Sequence, residues 1–160
     1  MSTRLLKSGF KGEKMVVVPH QLLKQFHTHE LIKGLFLTDI GFFPKASNHF
    51  RERPNGCSEY ILIYCIDGQG RIITKDKTHK VTPNSFFIIE KEQKHTYFSD
   101  GRDPWSIYWI HFKGNHAPYL YGKFLNQNNG KPIFIPFNQN KIAEFEYILE
   151  LLKLGYTDQI

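Results

Sequence analysis

Between Arg53 and Phe112 the apolar residues of this chain fall into short runs set apart by turn residues, and within many runs they alternate with a period of two. That period marks strands, whose successive side chains point to opposite faces. Tyr60 to Ile66 is an almost unbroken apolar run, which predicts a strand covered on both faces. Asp67-Gly68-Gln69-Gly70 then predicts a tight turn, because glycine takes the positive φ that a hairpin demands. Arg71 to Lys75 returns, Asp76-Lys77 turns again, and His79 to Thr82 leads into Pro83-Asn84. Phe86 to Ile89 reads as a buried strand, Glu90 to Lys94 as a charged surface loop, and His95 to Phe98 as a strand ending at Asp100-Gly101. In Trp105 to Phe112, Trp105, Ile107, Trp109 and His111 share one face, while Ser106, Tyr108, Ile110 and Phe112 share the other. The block predicts a mainly β, antiparallel barrel whose function lies in what points inward.

The flanks are less regular. Residues 1–18 read as a flexible basic N-terminal arm, and Pro19 followed by Gln21 to Phe26 suits a short helix with proline at its first turn. Leu35 to Ile40 alternates loosely and begins the strands. Residues 114–140 are rich in Asn, Gly and Pro and read as loops, apart from an apolar patch at Ile133 to Phe137. Ile142, Phe145, Leu149, Leu152 and Tyr156 then recur at spacings of 3, 4, 3 and 4, one stripe of a helix. That stripe either packs on the barrel or meets its twin from a second chain. The expected organisation is the arm (1–18), a ligand-binding barrel (19–137) and the start of a helical dimerisation or linker segment (138–160). The sequence stops at Ile160 without a closing element, as in a fragment of a longer protein.

Composition narrows the class. With 160 residues and 41% apolar content the chain can build one real core. Cys57 and Cys65 are too few for a disulfide framework and read as reduced thiols of a cytoplasmic protein. Met15 to Val18 is the only early apolar run, too short for a secretory signal, and nothing approaches a membrane span. The net charge is +6, and Arg4, Lys7, Lys11, Lys14 and Lys24 against Glu13 place most of that excess in the first 24 residues. Such an arm can touch DNA phosphates or an acidic patch, or simply keep the chain soluble.

One set of residues is more specific. Arg53-Pro54-x-Gly56, the strand ending in Gly68-x-Gly70, the Pro83 turn before Phe86 to Ile89, His95-x-Tyr97, Pro104-Trp105 and Trp109-x-x-Phe112 occur in order. In these motifs the chain resembles the N-terminal ligand-binding and dimerisation domain of the AraC family of bacterial transcription regulators, over about residues 35–112. The resemblance implies an antiparallel cupin-like (double-stranded β-helix) barrel with a short N-terminal helix and an appended C-terminal helix. It further implies a small-molecule effector, often a sugar, a homodimer formed through the helix (Ile142, Phe145, Leu149, Leu152), and DNA contact only through a C-terminal helix-turn-helix domain outside this chain. An N-terminal arm that folds over the bound sugar is also implied.

By the same resemblance, Arg53 matches an arginine that hydrogen-bonds the sugar, Trp109 a tryptophan on which the ring stacks, and Tyr97 a pocket tyrosine. The physics agrees: a guanidinium offers a fork of donors to vicinal hydroxyls, and an indole face suits an apolar ring surface. Ile107 stands where the family has a pocket histidine, so one polar contact is lost, and Thr38 or Asp39 falls near another contact. Asn84-Ser85 replaces the usual Gly-Asp turn and Glu90 a usual proline. The eight histidines invite a metal reading, but Tyr60 to Asp67 lacks the His-x-His pair a metal cupin needs, and His27-x-His29 precedes the barrel. No cofactor and no catalytic set is therefore expected, with a metal-dependent cupin enzyme or a ligand-free dimerisation module as the alternatives.

Overall fold

Most strands come from short alternating or apolar segments bounded by turns, and among the described residues they pair only with antiparallel neighbours. The computed structural model describes residues 4–136 and 138–154. Its strands are β1 (Lys14–Val17), β2 (Phe36–Phe43), β3 (Phe50–Arg53), β4 (Tyr60–Asp67), β5 (Gly70–Thr74), β6 (Lys77–Val81), β7 (Ser85–Ile89), β8 (His95–Ser99), β9 (Ser106–Lys113) and the two-residue β10 (Ile133–Phe134). A six-stranded sheet runs β1-β2-β9-β4-β7-β10 and a four-stranded sheet β3-β8-β5-β6. Their inner faces share one core, in which Ile61, Ile63 and Ile107 of the large sheet meet Ile72 and Tyr97 of the small one. This is the expected mainly β, cupin-like barrel.

The turn chemistry read from the sequence is visible at Gly68, whose φ is +68° and where an added Cβ would lie 2.1 Å from the Pro104 carbonyl oxygen. Both the backbone conformation and the close approach demand glycine. Asn84, which replaces the usual glycine, holds the same left-handed region at φ 67°.

The described residues also form three helices: α1 (His20–Thr28), α2 (Ala117–Gln127) and α3 (Gln139–Lys153). The second overturns the expectation of loops throughout residues 114–140. Pro118 sits in its first turn, and Ala117, Tyr121 and Phe124 form a buried stripe on the barrel. Gly122 and the Asn- and Gly-rich residues after the helix hide that stripe in the sequence.

The arm is also more ordered than expected. Lys14–Val17 is an edge strand on β2, Leu6 exchanges backbone hydrogen bonds with Asn48 and Phe50, and Phe10 is buried against Phe43 at 5.0 Å. Two apolar anchors and a strand ladder therefore tie residues 6–17 to the barrel, which corrects the reading of a flexible arm.

Of the two readings of the α3 stripe, the chain shows packing on the barrel. Its stripe of Ile142, Phe145, Leu149 and Leu152 packs on the outer face of the large sheet with Ile40, Tyr64 and Tyr108, and Leu149 is fully buried there. Phe145 stacks on Tyr108 with centroids 4.9 Å apart. Leu149 is covered within the chain, and Ile142, Phe145 and Leu152 are covered in part. Tyr156, the last member of the expected stripe, lies outside the described residues.

Candidate functional site

The short strand β3 carries the charge into the barrel. Arg51 pairs across from Tyr97 and Arg53 from His95, so the strand period sends all four side chains to the same face. Arg53 Nη1 lies 3.0 Å from His95 Nε2 and donates to the Tyr97 hydroxyl at 3.1 Å. His95 Nδ1 is 2.9 Å from the Gln93 carbonyl oxygen, which can only accept. The proton is therefore on Nδ1, and Nε2 is the acceptor for Arg53. Burial above all, then the neighbouring Arg53 and Arg51, keep this ring's pKa below the usual histidine value, although the Gln93 carbonyl opposes them. The network uses one corner of the Arg53 guanidinium and leaves the rest of its fork available.

The opposite wall comes from β2, β9 and β4, where Trp109 lies between Gly41 and Ile63. A Cβ on Gly41 would come within 2.4 Å of the Trp109 ring, so the absence of a side chain makes the indole's place. The Trp109 Nε1 atom is buried without a hydrogen-bond partner. Beside it, His111 pairs across from Asp39, with Nδ1 3.8 Å from the Asp39 carboxylate, too far for a hydrogen bond. Burial first, then Arg53, push the His111 pKa down to about 4, so the ring is neutral at pH 7 and the contact is no ion pair. His49 behaves alike: burial, then Arg51 and Arg53, bring it to about 4, and its Nδ1 accepts from Trp105 Nε1 at 3.0 Å. Its remaining proton is on Nε2.

Between these walls is a cavity of about 360 Å³. It is lined by Arg51, Arg53, Tyr97, His49, Trp109 and Asp39, with Ile63, Phe43 and Ile107 as apolar surface and Lys7 and Ser8 of the arm at its exposed rim. Its size suits a small molecule, and it combines apolar walls with a few convergent polar groups, as binding sites do.

The structure brings four of the sequence-derived residues together: Arg53, Tyr97, Trp109 and Ile107 all line the cavity. Thr38 does not, and this is a correction. A β-bulge between Leu37 and Asp39 places two residues of β2 against one of β9 and turns Asp39, not Thr38, to the inner face. Thr38 is buried and donates its hydroxyl to Asp39 at 2.6 Å, supporting the carboxylate from behind. Arg51, His49 and Lys7 were missed by the sequence reading. For Arg51 a signal existed, since Arg51 and Arg53 are two apart in a strand and must share a face.

The cavity offers mainly hydrogen-bonding groups. Cys65 is buried, donates to the Asp67 carbonyl at 3.2 Å and has its pKa pushed up to about 12, chiefly by burial, so it supplies no thiolate. His49 and His95 are committed to hydrogen bonds, and among the described residues no three His, Cys, Asp or Glu side chains converge as a metal site would require. No described helix is long and apolar enough to cross a membrane.

A two-sheet antiparallel barrel of this register is cupin-like in fold. The chain belongs to the AraC-like ligand binding domain family, whose match covers residues 40–131. It is 30% identical over 107 residues to the MmsAB operon regulatory protein of Pseudomonas aeruginosa, a match covering 64% of this chain and 34% of that protein. The chain thus spans about a third of that relative's length. Among solved structures it is similar to ToxT from Vibrio cholerae, with 12% identity, a TM-score of 0.44, and coverage of 79% of this chain and 49% of that one. It is also similar to the Schizosaccharomyces pombe Cnp3 cupin domain, with 11% identity, a TM-score of 0.43, and coverage of 69% and 71%.

Proposed function

We propose that this chain is the sensory part of an AraC-type transcription regulator, a cytoplasmic non-enzymatic domain that binds a small polar effector, sugar-sized, in the barrel. The observation that carries the reading is the pre-oriented Arg53, fixed by His95 and Tyr97 at the edge of a cavity whose far wall is Trp109. Pre-organisation of this kind lowers the cost of ordering the site when a ligand arrives. DNA contact belongs to a separate domain. The family match and the regulatory relative support this reading.

Signalling is a population shift: the ligand favours one placement of the arm or of α3, and that difference in free energy reaches the DNA-binding part. Lys7 and Ser8 stand at the cavity rim, so an occupant can touch the arm directly. Self-association, if it uses residues 141–154, falls to the outward side of α3, where Tyr147 and Leu154 are exposed. A thermal-shift screen of mono- and oligosaccharides and their derivatives on the wild type and on Arg53→Ala tests the proposal. A hit that stabilises the wild type and is weakened in the variant supports it through mass action. A hit undiminished by the substitution overturns the pocket assignment.

A further inference from the structure

We infer that the effector carries a carboxylate, and that Arg51 and Arg53 together hold it. The inference rests on the ligand-sensing reading above and adds the chemical class of the ligand. Among the described residues the two guanidinium groups have no carboxylate within 4.0 Å, and unlike Lys11, Lys24 and Arg102, which also lack one but are exposed, they line the cavity. Both arginines are partly buried, on adjacent inward positions of one strand, and both line the same cavity. A half-buried cation without a counterion is an unfavourable arrangement unless something anionic completes it.

The carboxylates already in the cavity do not fill that role. Asp39 sits on the opposite sheet and accepts from Thr38, and Glu59 is not within ion-pairing distance of either arginine. With the three lining cations Lys7, Arg51 and Arg53 against these two acids, one positive charge remains for an occupant to answer.

Hydrogen-bond bookkeeping leads the same way. Arg53 spends Nη1 on His95 and Tyr97 and keeps Nε and Nη2, the paired edge that a carboxylate meets with two parallel bonds. Arg51 Nε and Trp109 Nε1 are also without a partner, but both are packed away from the cavity's open space, so Arg51 meets an occupant through its terminal nitrogens. His49 offers a further N–H, because its Nδ1 already accepts from Trp105. The free groups facing the cavity, the Arg53 edge, the Arg51 terminal nitrogens and His49 Nε2, are donors, and a carboxylate is an acceptor with room for about four of them. A neutral polyol adds a donor with every acceptor oxygen and leaves the charge unanswered. Asp39, set across the cavity, is placed to accept from a hydroxyl of the same molecule. The class is therefore a small hydroxy acid or sugar acid.

Titration of 15N-labelled protein with gluconate and lactate, and with their neutral counterparts glucitol and propane-1,2-diol, tests this directly. The resonances to follow are the Nε–H groups of Arg51 and Arg53 and the Nε1–H of Trp109. The acids are expected to saturate these shifts at least about tenfold more tightly than the alcohols, and Arg51→Gln and Arg53→Gln each to weaken the acids about tenfold, more than either weakens the alcohols. Binding of acid and alcohol with equal affinity overturns the carboxylate inference and leaves the sensory reading standing. Acid binding indifferent to Arg51→Gln overturns the role of Arg51. If none of the four probes perturbs the three resonances, the carboxylate inference falls, and a saccharide hit in the thermal screen that needs Arg53 still decides separately for the sensor.

Discussion

Tyr108 donates its hydroxyl to Glu146 Oε1 at 2.6 Å, and the other oxygen of that carboxylate pairs with Lys14 Nζ at 2.6 Å. One side chain of α3 thus joins the central strand β9 to the arm strand β1. Tyr108 is the immediate neighbour of Trp109 but faces outward, so one strand position touches the cavity and the next touches this latch.

Removing the carboxylate should separate its two roles. Glu146→Ala strands the buried Tyr108 hydroxyl and is expected to cost about 1–3 kcal/mol, whereas Glu146→Gln keeps an acceptor and loses only a part-exposed ion pair, at most about 1 kcal/mol. Urea denaturation of both variants measures this, and equal losses would refute the buried hydrogen bond as the main term. Hydrogen exchange at Met15 to Val17 should quicken in both. Burial opposes ionisation of Glu146, but the bonds from Lys14 and Tyr108 outweigh it and hold its pKa below the ordinary carboxylate value. The latch is therefore complete above that ordinary value and is lost as the pH falls through the lower folded one.

At Gly41 the expectation is steric. An alanine methyl would meet the Trp109 ring at 2.4 Å and the Lys14 carbonyl oxygen at 2.8 Å, so Gly41→Ala has to push either the indole into the cavity or β1 off the sheet. Overpacking of this kind costs about 1–3 kcal/mol. Tryptophan fluorescence should shift, and any ligand found by the thermal screen should bind more weakly. An unchanged spectrum with unchanged affinity would mean that the indole is not held against Gly41.

What the sequence made legible follows from period and turn chemistry. Trp105 to Phe112 announced its two faces because a strand has only two, and the outer one, through Tyr108, became the seat of α3. Asn84 and Gly68 announced turns for the same local reason. Three features escaped, two because a tertiary neighbour decides them and one because local composition masks it. The extra residue at Thr38 is a bulge that only the pairing with β9 reveals; the stripe of α2 is masked by Gly122 and Asn-rich flanks; and the burial of Leu149 depends on a sheet face that sequence alone does not place. Arg51 was within reach, since it stands two residues from Arg53.

Acid should weaken the barrel through its interior histidines. His49 and His111 have folded pKa values of about 4 against an ordinary 6.5, so between those values the unfolded chain binds protons that the folded one refuses. Stability is greatest above 6.5 and declines toward pH 4, by on the order of 3 kcal/mol per ring if each acts alone. Urea midpoints recorded from pH 7 to pH 4 should fall steadily, and the slope should flatten in His111→Gln. A flat profile in the wild type would contradict the neutral, buried state of these rings.

The two cysteines should report on the cavity from different depths. Cys57 is half-buried on the cavity wall, its pKa raised mainly by burial, while Cys65 is fully buried with its pKa near 12. Because the thiolate is the reactive species, a maleimide at neutral pH should modify Cys57 slowly and Cys65 only after denaturation. Mass spectrometry of tryptic peptides would show one labelled site in the native protein and two in urea. An occupant of the cavity lies against Cys57, so gluconate at saturating concentration should slow its labelling several-fold, while glucitol at the same concentration should not. Labelling of Cys57 that ignores every ligand shown to bind would place the occupant elsewhere than between Arg53 and Trp109.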